Sequence, residues 1–235
     1  MTTESLAART AALPRSWWWG FIPFAALSAV HVGARLAEAD AVAGPTKLVL
    51  MPLLAAAAVW ALRGQGWRQA PAILLLAALF FSWIGDGAGA FFPQAPELPV
   101  MLASFGIAHL CYIRLLWRYA AVRPFPRWAL VFPLWWVLML LVLWPALGTL
   151  APAVVVYGLV LGGTAATAAR CNPVIAAGGI LFLASDTVLA LRIFLPEAMP
   201  AWTSALVMLT YCAGQGLIVA GLLSSRARPG AYRNQ

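Results

Sequence analysis

Two aspartates, Asp86 and Asp186, stand inside long apolar runs, FFSWIGDGAGAFF and LFLASDTVLALRIF. An ionised carboxylate at the centre of a bilayer costs roughly 2.5–3.5 kcal/mol even on the lenient insertion scale, so each must serve a purpose there. Two carboxylates in one low-dielectric cavity tend to divide into a protonated acid and an anion, the pairing that glycosidases use to protonate a substrate and steady the resulting cation. Asp86 lies about fifteen residues into its run and Asp186 about thirteen into its own, which predicts similar depth and a shared cavity. The alternative is structural: each carboxyl is neutral or paired with a base and fixes helix packing only.

Other polar residues fall at spacings that join this pair. His109 and Tyr112 are three apart and share one helix face, and Tyr211 and Gln215, four apart, share another. With the aspartates they make six polar side chains from four apolar runs, expected in one layer; interhelical hydrogen bonding is the plainer reading for each. Ser82 is one turn before Asp86 and either bonds into the site or bonds its own backbone. Lys47 is the only lysine, in GPTKLVL, and either holds a phosphate as a point charge or snorkels to the interface. Arg114 and Arg192 lie shallow enough to snorkel.

The inventory removes several chemistries. There is no GxSxG elbow, Walker motif or dinucleotide fingerprint. His31 and His109 are too few for a three-histidine zinc site, although His109 with Asp86 and Asp186 is a formal minority option. The runs bearing Asp186 and Tyr211 lack lysine, which removes a retinal Schiff base. Cys111, Cys171 and Cys212 are odd in number and without CxxC spacing, so no disulfide framework or zinc ribbon is expected. No metal or organic cofactor is required.

The elements that must position these residues are membrane helices. Of 235 residues 63% are hydrophobic and 9% charged, and mean hydropathy is +0.88, values outside the range of soluble domains. A bilayer core of roughly 30 Å takes about 20 apolar residues as helix. Proline, glycine and arginine divide the chain into eight such runs, at about 17–37, 45–62, 71–91, 98–117, 128–146, 150–169, 173–194 and 201–223. The fold class expected is therefore all-α, a polytopic bundle of about eight transmembrane helices over 17–223, with an N-terminal segment 1–16 and a basic tail 224–235. The first run opens on Trp17, Trp18 and Trp19, which suits an interfacial anchor better than a cleaved signal peptide.

Charge orients the bundle. Arg9, Arg15, Arg63, Arg68, Arg118, Arg123, Arg127, Arg170, Arg226, Arg228 and Arg233 fall in the termini or even-numbered loops, whereas Glu38, Asp40, Glu97 and Glu197 mark the odd-numbered ones. The positive-inside rule then puts both termini in the cytoplasm, and the inner membrane of a bacterium is the expected location. The net charge of +8 is read as this asymmetry and not as a nucleic-acid footprint. The third and seventh runs each carry an aspartate after a small residue. The fourth and eighth pair Cys111 with Tyr112 and Tyr211 with Cys212 in reversed order. A 4+4 internal repeat, with the site at its interface, would produce that echo.

In order, Thr46 and Lys47, Gly85 and Asp86, FxxAHxxY at 105–112, SDxxxAxxxF at 185–194 and TYxxxQ at 210–215 resemble the lysoplasmalogenase (YhhN-like) membrane family over about 45–222. Leu48 departs from the family's pattern, which places proline directly after the TK pair; here the proline is Pro52. The resemblance implies an eight-helix membrane enzyme that cleaves the vinyl ether bond of lysoplasmalogen to a fatty aldehyde and a glycerophospho-headgroup. A vinyl ether hydrolyses through protonation of carbon and capture of an oxocarbenium ion by water, which one acid and one anion would serve. Asp86 and Asp186 would share those roles, and His109 would relay a proton or orient Asp86. Tyr112, Tyr211, Gln215 and Ser82 would position headgroup or water, with Lys47 at the phosphate. The expected partners are a lysophospholipid, water and membrane lipids, with no nucleic acid. A proton-coupled lipid or small-molecule transporter would use the same aspartates, and a non-catalytic lipid-binding scaffold is a further alternative.

Overall fold

The computed structural model describes residues 16–63 and 69–226, which among themselves contain helices and no strand. Of the expected terminal segments 1–16 and 224–235, residues 1–15 and 227–235, with Arg9, Arg15, Arg228 and Arg233, lie outside the described residues, as does Arg68 in the second loop. Among the described residues are eight helices of fifteen residues or more: α1 (Ile22–Leu36), α2 (Asp40–Ala61), α3 (Ala70–Asp86), α4 (Glu97–Leu115), α5 (Val131–Leu147), α6 (Ala151–Ala168), α7 (Pro173–Phe194) and α8 (Thr203–Arg226). Among the described residues, five stretches are long and apolar enough to cross a membrane: Asp40–Ala61, Glu97–Ala120, Arg127–Ala168, Pro173–Phe194 and Thr203–Ser225. Arg127–Ala168 is two helices that reverse at Gly148, whose φ of 50° favours a residue without Cβ. Large apolar side chains such as Leu130, Leu141 and Val156 face outward, as befits a protein whose solvent is lipid.

Local chemistry sets the ends. Proline opens α1, α3, α6 and α7, where its missing N–H is one the first turn leaves unbonded anyway. Asn172 caps α7 by accepting the Ile175 N–H at 3.0 Å. The expected continuous span over 71–91 is corrected: α3 stops at Asp86, and a single turn, Ala88–Phe91, follows Gly87. The Phe91 ring lies where a Cβ on Gly87 would be, 2.3 Å from its nearest carbon, so this break requires glycine. The fourth span runs further than expected, through a π turn at Leu116–Ala120, and α8 continues past 223 to Arg226.

The most extensive pairings are α3 with α4 and α7 with α8. In the second pair the backbones approach through glycine: a Cβ on Gly178 would stand 2.8 Å from the Gly214 carbonyl oxygen, and one on Gly214 2.8 Å from the Phe182 nitrogen. Small residues drive such packing where lipid offers no hydrophobic gain on helix contact. α1 and α2 pack on each other and on α8, α4 packs on α6, and α5 sits at the edge against α6 and α7. The principal core, around Leu50, Leu54, Leu79, Phe105, Tyr112, Phe182, Tyr211 and Ile218, lies between α2, α3, α4, α7 and α8.

Candidate active site

Pro52 has no N–H to give the Leu48 carbonyl four residues earlier, and that oxygen is taken instead by the Trp83 indole N–H of α3, at 2.8 Å. This bond locks α2 to α3 one residue after Lys47 and three before Asp86. The Lys47 Nζ then stands 3.6 Å from Asp86 Oδ1, an ion pair between a half-buried lysine and a carboxylate that is only 4% exposed. The Tyr211 hydroxyl of α8 donates to the other oxygen, Oδ2, at 2.7 Å. Lys47 thus reaches inward to the carboxylate, a contact that neither expected role for it included.

Asp186 has a different environment. The Tyr157 hydroxyl of α6 donates to its Oδ2 in a short hydrogen bond, and His109 Nε2 lies 3.8 Å from the same oxygen and 3.4 Å from the Tyr157 hydroxyl. The expectation that His109 orients Asp86 is corrected: helix α4 is turned so that its imidazole meets α6 and α7, and its partner is Asp186. On its far side, His109 Nδ1 is 3.1 Å from Thr164 Oγ1. That hydroxyl donates to the Val160 carbonyl at 3.0 Å, so it accepts from the ring, and Nε2 is left as the nitrogen facing Asp186 and Tyr157. Asp186 Oδ2, the Tyr157 hydroxyl and His109 Nε2 thus lie within 3.8 Å of one another, with the hydroxyl proton of Tyr157 among them.

Aromatic rings join the two halves. Phe105 and Tyr211 pack edge to face at 6.0 Å, Phe182 and Tyr211 at 5.5 Å, and His109 rests against Phe182 at 4.8 Å. Phe105 is seated on Gly85, where a Cβ would come within 2.5 Å of its ring. Asp186 and Phe105 open onto an apolar cleft lined also by Leu98, Leu102, Tyr157 and Ile193. The remaining expected residues make a separate, fully buried layer: Tyr112 donates to Gln215 Oε1 at 2.5 Å, and Gln215 Nε2 donates to Ser82 Oγ at 3.1 Å. These three tie α3, α4 and α8 together one turn below Asp86 and Tyr211.

Sequence reasoning missed Tyr157, whose signal was its position as the only hydroxyl-bearing side chain in the apolar run 151–163. Arg192 reaches the bundle end, with Nη1 donating to the Pro200 carbonyl at 3.1 Å and to Thr203 Oγ1 at 2.5 Å. Among the described residues no three of His, Cys, Asp and Glu cluster as metal ligands.

A search of curated proteins and of solved structures found no significant match. The family profile described as YhhN family matches residues 43–222, a stretch that carries both aspartates and every side chain bonded to them. The chain, helical over its described residues with five stretches long and apolar enough to cross a membrane, belongs to the YhhN family, the family of lysoplasmalogenase-like proteins.

Proposed function

We propose that the protein hydrolyses the vinyl ether bond of lysoplasmalogen-type lysophospholipids, using Asp186 as proton donor and Asp86 as the opposing anion. The observation that carries this is the unequal partnering of the two carboxylates: Asp86 is the anionic partner of Lys47, whereas Asp186 has the Tyr157 hydroxyl and the His109 imidazole as its partners. Asp186 also faces the apolar cleft, which suits an alkenyl chain. In the reaction, the Asp186 proton passes to the vinyl carbon distal to oxygen, leaving an oxocarbenium ion. Asp86 and the faces of Phe105 and Tyr211 steady that charge. Water adds to the cation and gives up a proton, which returns to Asp186 through Tyr157 and His109. The hemiacetal collapses to aldehyde and a glycerol hydroxyl, so that one water is consumed overall. Lys47, by its position, keeps the Asp86 carboxylate in place during these steps. On this reading eight helices span the membrane with both termini cytoplasmic, and the site lies in the outer half of a bacterial inner membrane.

The test is product analysis. Purified protein in detergent, given a lysoplasmalogen with no ion gradient, releases free fatty aldehyde and glycerophospho-headgroup in equal amounts. A transporter or a lipid-binding scaffold releases neither.

A further inference from the structure

A second cavity, of about 300 Å³, opens at the bundle end that carries the acidic loops. It is lined by His31 and Arg35 of α1, Asp40 and Lys47 of α2, Arg192 of α7 and Ser204 of α8. Lys47 therefore stands between this cavity and Asp86, and Leu189 lines both this cavity and the apolar cleft at Asp186. Three cations face one acid in it. Arg35 donates Nε–H to Ser204 Oγ at 2.7 Å and Nη1–H to Asp40 at 3.0 Å, which leaves three of its five donors. Arg192 is bonded through Nη1 alone, so the outer edges of both guanidiniums remain available to an anion, the geometry that suits phosphate.

The second observation is an orphaned atom. His31 is 1% exposed, and its Nε2 has no hydrogen-bond partner. Its Nδ1 is 2.8 Å from Thr46 Oγ1, and Thr46 spends its own proton on the Val42 carbonyl at 2.6 Å. Thr46 must then accept, so the ring proton is on Nδ1 and Nε2 presents a lone pair. A second ring proton would add a fourth positive charge to the cavity. A buried acceptor without a donor is costly, and in a built site it is completed by the ligand.

We propose that this cavity binds the head of a lysophospholipid, with Arg35 and Arg192 on the phosphate and His31 Nε2 accepting the free glycerol hydroxyl. His31 is thereby a specificity-determining residue: a second acyl chain would remove the donor that it requires and leave the nitrogen unpaired. This rests on the lysophospholipid hydrolase reading and deepens it, placing the head above Lys47 and the chain in the cleft beyond Leu189.

Binding of lipids that cannot be hydrolysed separates this inference from catalysis. Titrations of the full-length protein in detergent would use a saturated 1-O-alkyl lysophosphatidylethanolamine, its 2-O-methyl derivative, the 1-O-alkylglycerol and glycerol 3-phosphate. Wild-type protein should bind the free-hydroxyl phospholipid about tenfold or more tightly than the O-methyl derivative, as loss of a donor to a buried acceptor implies. His31→Ala should bring those two lipids within about twofold of each other. Arg35→Gln and Arg192→Gln should each weaken the phospholipid about tenfold and leave the alkylglycerol unchanged. Glycerol 3-phosphate should bind at least a hundredfold more weakly, since it lacks the chain; equal binding would make the site one for a soluble phosphate and overturn the lipid assignment. Equal wild-type affinity for the hydroxyl and O-methyl lipids, a comparison that needs no variant to fold, overturns the role of His31, as does discrimination that survives His31→Ala. Aldehyde release without discrimination sinks this inference alone, and discrimination without aldehyde release sinks the hydrolase alone.

Discussion

Lys47 Nζ stands 3.6 Å from Asp86 Oδ1, and the contact depends on the indole of Trp83 filling the hydrogen-bond vacancy that Pro52 leaves in α2. Lys47→Met should therefore lower turnover more than substrate affinity, by about a hundredfold, because it removes the cation beside a reacting group. It should also cost roughly 1–3 kcal/mol of stability by leaving a buried carboxylate unpaired. Adding Asp86→Asn to Lys47→Met should restore most of that stability and none of the activity. Steady-state aldehyde release and thermal unfolding in detergent measure the two effects. An affinity loss with normal turnover would return Lys47 to the role of a phosphate ligand.

Asp86→Asn and Asp186→Asn should each abolish hydrolysis while the protein remains folded, since the amide keeps the shape and removes charge and proton transfer. General acid–base contributions alone run to roughly 10²- to 10⁴-fold. The double variant should be little worse than either single one, because groups acting on one transition state do not add. Near-normal turnover in either single variant would dismiss the carboxylate pair.

Two tyrosines distinguish the site from the layer beneath it. Tyr157→Phe deletes a donor to Asp186, and a hydrogen bond to a charged group is worth about 1.5–3 kcal/mol, which is roughly 10- to 150-fold in rate. Tyr112→Phe deletes a donor to Gln215 in the closed network and should cost about 1–3 kcal/mol of stability with turnover changed less than about threefold. Parallel measurements of kcat and unfolding temperature would show the reversed order if Tyr112, and not Tyr157, served the reaction.

Gly214→Ala places a methyl 2.8 Å from the Phe182 nitrogen and 3.0 Å from the Gly178 carbonyl oxygen. Helices α7 and α8 must then separate, at a cost of about 1–3 kcal/mol, and Phe182 carries the His109 and Tyr211 contacts with it. Both stability and activity should fall. Gly33→Ala, with nothing within 4 Å of the added carbon, should change neither. Equal tolerance at both positions would mean that the close approach does not hold the site.

Reporter fusions at the two ends of the chain should both report the cytoplasm. The basis is the separation of the basic loops around Arg63, Arg118, Arg123, Arg127 and Arg170 from the loops of Glu38, Asp40, Glu97 and Glu197. Opposite locations would require an odd number of spans and a different depth for Asp86 and Asp186.

The sequence alone determined that this is a helical membrane protein, approximately where its helices begin and end, and that Asp86 and Asp186 are its costly residues. The physical reason is the bilayer. A backbone in lipid must satisfy its own hydrogen bonds, so length and apolarity translate directly into helices, and a charge inside them is conspicuous. Helix rotation and neighbour choice had no comparable signal, because α5 is apolar on every side and α6 breaks its apolar run only at Tyr157, Thr164 and Thr167, so that lipid and protein faces read nearly alike. His109 meeting Asp186 and not Asp86, Tyr157 completing that group, and His31, with its unpartnered Nε2, lining the cavity beside Arg35 and Arg192 were therefore decided only in three dimensions. There the close contacts at Gly178 and Gly214 and the vacancy left by Pro52 fix which faces meet.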